Sequence, residues 1–243
     1  MRNREKMFIP YVMFGCPDIP KSLGLIRNMV EWGADYVEIG LPFSDPMADG
    51  KTIQQAGSLA LLNNAGLDAL FEALRGRKIP GRLILMTYYN IIFGRKDLFA
   101  RLSESGIGSL IVPDLPLEEA LAFSKSAAEY GISLILLASP TTSDARYKKI
   151  AALSSPFVYY VSIKGITGSS LGDTGALKKR LERLRKLSAK PVCAGFGIST
   201  LAQVKELKGS ADGIIIGSEI IRLQPDPPKL KKFTLDCIKI IKG

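Results

Sequence analysis

Glu104-Ser105-Gly106-Ile107-Gly108-Ser109-Leu110-Ile111-Val112 reads as the end of a helix passing through glycine into a short apolar run. Glycine after the last helical turn takes the left-handed cap conformation, and the apolar run has the length of a strand buried on both faces. The same passage recurs in Glu31-Trp32-Gly33-Ala34-Asp35-Tyr36-Val37, in Glu129-Tyr130-Gly131-Ile132-Ser133-Leu134-Ile135-Leu136-Leu137, and in Lys208-Gly209-Ser210-Ala211-Asp212-Gly213-Ile214-Ile215-Ile216. Strands reached from helices in this way are parallel, because parallel neighbours need right-handed helical crossovers.

Working outward, the apolar runs predict strands over 9–14, 36–39, 83–87, 109–112, 134–138, 157–161, 191–194 and 213–216. Amphipathic patterns predict helices over 22–32, 52–74, 97–105, 117–130, 144–153, 175–187, 201–207 and 229–241. Eight strands alternating with eight helices in 243 residues predict an α/β fold of the (β/α)8 TIM-barrel type, one domain over 1–243. A doubly wound open sheet would carry a glycine-rich fingerprint after its first strand, where this chain has Phe14-Gly15-Cys16-Pro17-Asp18. In a barrel, polar residues at the C-terminal ends of strands become the functional candidates.

Composition narrows the chemistry. Hydrophobic residues make up 47% and charged residues 23%, a globular balance. The formal charge of +10 comes from basic residues concentrated in helical stretches such as 178–190 and 229–242, without interleaved aromatics, so a solvated surface is expected and no nucleic-acid partner. Three cysteines, odd in number and far apart, fit a reducing cytoplasm. With no histidine, Ser-His-Asp and Cys-His systems and most transition-metal sites are excluded, so no metal is expected and acid-base work falls to carboxylates, Lys or Tyr. No uncharged apolar run approaches the ~20 residues of a membrane span, and the stretch from Met7 to Cys16 reads as strand rather than signal peptide.

The second predicted strand carries a carboxylate, Glu38, in Tyr36-Val37-Glu38-Ile39-Gly40. Alternation puts Tyr36, Glu38 and Gly40 on one face; if Val37 and Ile39 meet the helices, Glu38 points into the barrel mouth with its pKa raised by desolvation. A structural pairing with Lys164 is the other reading, and residue type leaves both open. The following loop, stiffened by Pro42 and Pro46, holds Asp45 and Asp49, either of which could cap the next helix; Asp45 is otherwise read as a turn residue and Asp49 as a functional acid. Glycines cluster after the last three strands, in Gly165-Ile166-Thr167-Gly168, Gly195-Phe196-Gly197 and Gly217-Ser218, the last opening a short helix. Loops after strands seven and eight with a short extra helix are a recurrent phosphate site of such barrels. Tyr11, Met86, Tyr88, Leu137 and Tyr159 stand at strand ends, as pocket lining or as barrel filling.

Glu38-Ile39-Gly40-Leu41-Pro42-Phe43-Ser44-Asp45-Pro46-Met47-Ala48-Asp49-Gly50 with Thr52-Ile53-Gln54 closely resembles the signature of the tryptophan synthase α subunit family. The similarity continues through Met86-Thr87-Tyr88-Tyr89-Asn90, Pro113-Asp114-Leu115-Pro116, Gly165-Ile166-Thr167-Gly168 and Gly195-Phe196-Gly197-Ile198. The resemblance implies retro-aldol cleavage of indole-3-glycerol phosphate to indole and glyceraldehyde 3-phosphate, without a cofactor. By motif position Glu38 would shuttle protons, Asp49 would hold the indole N–H, Thr167 would orient Asp49 and Tyr159 would support Glu38. Gly168, Gly197, Gly217 and Ser218 would bind phosphate, and Tyr11, Met86, Tyr88 and Leu137 would surround the indole. It also implies a pyridoxal-phosphate-dependent β subunit as partner in an α2β2 assembly. Cys16, Ile91, Met13 and Ile163 depart from residues frequent in the family, and the family's N-terminal helix is expected to be shortened or missing. Two further readings remain: a weakly active subunit that mainly activates its β partner, and another phosphate-binding barrel enzyme of amino-acid biosynthesis.

Overall fold

The structure is a computed structural model that describes residues 5–47, 49–77, 79, 81–162, 174–195 and 197–243. The first part runs β1 (Met7–Met13), α1 (Ile19–Glu31), β2 (Val37–Gly40), α2 (Lys51–Leu62), α3 (Leu67–Leu74), β3 (Leu83–Met86), α4 (Tyr89–Ile92), α5 (Leu98–Glu104), β4 (Ile107–Ile111), α6 (Leu117–Ala128) and β5 (Ser133–Ile135). The second runs β6 (Leu137–Ala138), α7 (Asp144–Leu153), β7 (Val158–Val161), α8 (Thr174–Leu187), β8 (Val192–Gly195), α9 (Leu201–Leu207), β9 (Gly213–Ile216), α10 (Ser218–Leu223) and α11 (Pro227–Lys242). Among the described residues no helix precedes β1.

All strands pair in parallel, in the order β5-β4-β3-β2-β1-β9-β8-β7-β6. The two ends of that order are consecutive in the chain, so the sheet closes on itself through Leu136. The fifth strand, predicted as one run over 134–138, is therefore two pieces with a seam between them. At the seam the Leu136 N–H donates to Ser154 Oγ at 3.0 Å, and that hydroxyl donates to the Phe157 carbonyl at 2.5 Å. The Tyr159 N–H donates to the Leu136 carbonyl at 3.0 Å, which restores the ladder across the closure. A side-chain hydroxyl thus stands in for a missing backbone partner, as buried peptide groups require.

Two helical expectations change. The helix predicted over 52–74 is α2 and α3, separated at Asn63–Gly66 by a turn in which Asn64 has φ 54°. The single-turn α4 was not anticipated, since four residues carry no helical periodicity. Gly33, Gly106 and Gly131 have positive φ as the repeat predicts, whereas Gly209, after the Lys208 C-cap of α9, does not.

The N-terminal end of the barrel is an ionic floor. Asp212 is fully buried, accepts from Arg185 at 2.8 Å and from the Val192 N–H at 2.9 Å, and so joins α8, β8 and β9. Asp35 accepts from the Phe8 N–H and from Lys242, tying β1 to α11, while Lys6 donates to the carbonyls of Lys208 and Ala211. With this end tied off, the buried acid of β2 at the other end, Glu38, stands without a hydrogen-bond partner among the described residues.

Candidate active site at the barrel mouth

Val37 and Ile39 are fully buried, and the register of β2 sets Glu38 beside Tyr11 of β1 and Ile84 of β3. The charge of Glu38 acts on both Tyr11, on the neighbouring strand β1, and Tyr159, on β7 across the barrel, so its carboxyl lies in the barrel interior. It is 1% exposed, and among the described residues neither carboxylate oxygen has a hydrogen-bond partner. Burial first, and the nearby charge of Asp49 second, push its pKa up to about 8. Lys164, the alternative partner named from sequence, lies outside the described residues.

Two glycines make room for the tyrosines that flank this acid. A Cβ built on Gly40 would lie 1.8 Å from the Tyr11 hydroxyl, and one on Gly195 would lie 2.5 Å from that of Tyr159. Each ring therefore leans across the bare backbone of a neighbouring strand, β2 for Tyr11 and β8 for Tyr159. Burial raises both phenols well above their ordinary range, so both remain neutral hydroxyls beside Glu38.

Asp49 sits half-buried in the loop between β2 and α2. Burial lifts its pKa to about 6, against the opposing effect of the Tyr88 hydroxyl, which donates to its carboxylate at 3.4 Å. Phe43 stacks on Tyr88 with centroids 4.9 Å apart, and Gln54 donates to the Asp49 carbonyl at 2.9 Å. Gly50 is the N-cap of α2 and no side chain caps that helix, so neither aspartate has the capping role considered from sequence. Asp45 is exposed and accepts from Ser44 at 2.5 Å within its own turn.

Met86 ends β3 opposite Gly40, and Leu137 opens β6 opposite Tyr159, so both border the same interior. Gly197, with φ 78°, follows β8; Gly217 is the N-cap of α10, and Ser218 is the exposed first residue of that helix. Thr167 and Gly168 lie outside the described residues. Among the described residues no group of three or more His, Cys, Asp or Glu side chains is arranged to hold a metal ion, and no helix is long and apolar enough to cross a membrane. Phe43, Gln54 and Gly40 carry no site role in the sequence reading, and Gly195 stands there only within the glycine cluster read as a phosphate site. Period-two alternation, which puts Gly40 on the face of Glu38, was the available signal for one of them.

Two carboxyls whose environments separate their pKa values to about 8 and about 6 take different roles near neutrality. Glu38 is predominantly an acid in an apolar interior, and Asp49 is predominantly an anion at its rim. Such a pair can protonate a bound ring while balancing the positive charge that develops on it.

The profile of the family described as tryptophan synthase alpha chain matches residues 1–237. A tryptophan synthase alpha chain of Methanosarcina acetivorans is 41% identical over 225 residues, 91% of this chain and 82% of that one. One from Staphylococcus aureus is 40% identical over 221 residues, 89% of this chain and 90% of that one. Among solved structures, Mycobacterium tuberculosis tryptophan synthase superposes with a TM-score of 0.89 at 31% identity, covering 99% of this chain and 94% of that chain. The tryptophan synthase alpha chain of Legionella pneumophila gives 0.85 at 30%, covering 98% and 92%.

Proposed function

The chain belongs to the tryptophan synthase alpha chain family, and from that premise we propose that it cleaves indole-3-glycerol phosphate to indole and glyceraldehyde 3-phosphate. The observation that carries this reading is the buried carboxyl of Glu38, without a hydrogen-bond partner among the described residues and held protonated near neutrality beside the charge of Asp49. Glu38 gives its proton to C3 of the indole ring, which makes the ring the electron sink. It then takes the proton of the glycerol hydroxyl as the bond between C3 and the side chain breaks. The bonding electrons return to the ring, releasing indole and an aldehyde. Asp49 accepts from the indole N–H and balances the cationic ring, and Tyr159 supports Glu38. Tyr11, Met86, Tyr88 and Leu137 surround the ring, and Gly197, Gly217 and Ser218 take the phosphate through backbone N–H groups and the hydroxyl. Thr167 and Gly168 complete the Asp49 and phosphate contacts.

The chain works as one catalytic domain without a cofactor of its own; pyridoxal phosphate belongs to the β subunit with which it assembles. Its three free, buried cysteines support a reducing, cytoplasmic setting. The test is indole release from indole-3-glycerol phosphate by wild type and Glu38→Gln, with and without a β subunit. Loss of about 10²–10⁴-fold in the variant is expected; turnover near the wild-type rate would sink the mechanism.

A further inference from the structure

Three successive carbonyls of the turn after β1 are held by side-chain amides from two different helices. Asn63, the C-cap of α2, donates through Nδ2 to Gly15 at 2.8 Å and to Pro17 at 2.6 Å. Gln224, the C-cap of α10, donates through Nε2 to Cys16 at 2.6 Å. The turn is also seated by shape, since a Cβ on Gly15 would lie 2.3 Å from that of Ala65, just past Asn63. The same two helices meet again at their other ends, where a Cβ on Gly217 would touch Ile53 of α2 and Tyr11 of β1, each at 3.4 Å.

These contacts join β1, α2 and α10 at two separated points, front and back. A single contact would leave the helices free to pivot about it; a second one, two to three turns further along, removes that freedom. The N-terminal ends of the two helices follow Asp49 in one case and begin at Ser218 in the other. We infer that Asn63 and Gln224 are positioning residues that fix the distance between the Asp49 end and the Ser218 end of the binding site, and so its preference for a ligand spanning both. The inference rests on the proposed function, in which the indole meets Asp49 and the phosphate meets the α10 end. A ligand bound at two places gains from their fixed spacing, whereas a fragment bound at one place does not.

The experiment uses Gln224→Met, which keeps the reach and removes the N–H donor, and Asn63→Asp, which keeps the size and removes the donor. Indole-3-glycerol phosphate probes both ends; glycerol 3-phosphate and indole, as inhibitors, probe one each. In each variant that melts as a folded protein, KM for indole-3-glycerol phosphate is expected to rise about tenfold with a smaller change in kcat. The inhibition constants of the two fragments should stay at wild-type values. A rise in the glycerol 3-phosphate constant in step with KM would mean that the amides only fold α10 locally, and would overturn the inference. So would a wild-type KM in both variants. Failure of both to fold would also overturn it, because the amides would then serve the fold. A wild type that leaves indole-3-glycerol phosphate uncleaved overturns the proposed function, and this inference with it; an active wild type whose KM is matched by both variants overturns the inference alone.

Discussion

Glu38 shows how far one side chain can be held from its solution chemistry by position alone. Its pKa rises from 4.5 to about 8 chiefly because burial in the barrel interior penalises the charged carboxylate, with the nearby charge of Asp49 adding to it. The sign of the linked stability change follows. Below the unfolded pKa both states hold the proton; between 4.5 and about 8 the folded chain keeps a proton that the unfolded chain has released, so stability falls as pH rises through this window. Glu38→Gln removes the titration, and its melting temperature should exceed that of wild type by a margin that widens across the window. Melting curves at both ends of the window check this, and a constant margin would place the raised pKa elsewhere. Asp49 offers a companion test through Tyr88, whose hydroxyl lowers the aspartate's pKa against burial. In Tyr88→Phe that opposition is lost, so the acidic limb of the kcat/KM profile governed by Asp49 should move upward in pH. An unmoved limb would mean that the hydroxyl does not control the acid.

Among the elements, the most exposed dependency is the closure between β5 and β6. Ser154→Ala would leave the Leu136 N–H without its acceptor and the Phe157 carbonyl without its donor, in a place where Ser154 is itself fully buried. A loss of about 1–3 kcal/mol is expected for orphaned groups of this kind, measurable by urea unfolding. This hydroxyl was invisible in the sequence because Ser154 lies in the connection after α7 and the amide it accepts from, Leu136, is 18 residues away at the seam. The eight apolar runs were readable because strands buried on both faces need continuous apolar residues. The break at Leu136 was not, because Leu134 to Ala138 are apolar on both sides of it. The division of α2 from α3 escaped for a similar reason: apolar spacing resumes after Asn63–Gly66, and only the positive φ of Asn64 marks the turn. At the site, Glu38 stood out as a charge in a strand pattern, and Asp49 as an acid in a rigid loop. The seating of Tyr11 over Gly40 and of Tyr159 over Gly195 depends on which strands become neighbours, and that information exists only once the barrel closes.

The whole molecule separates its charges by depth. At the floor each buried acid meets a base or a peptide N–H, as Asp212 meets Arg185 and Val192, whereas at the mouth Glu38 meets neither among the described residues. Asp212→Asn should therefore destabilise the fold by about 3 kcal/mol, as breaking a buried pair does, yet leave kcat unchanged, with unfolding curves and turnover measured on the same sample. A proportional fall in kcat would mean that floor and mouth are not independent. The closure at Leu136 carries a different implication, concerning motion. Leu137, the next residue, borders the barrel interior beside Tyr159, so the seam adjoins the wall of the proposed indole site. Occupying the cavity should then act as a latch on the cylinder, slowing hydrogen exchange at the Leu136 amide more than at amides of β4, and making the resting enzyme the looser vessel and the loaded one the tighter.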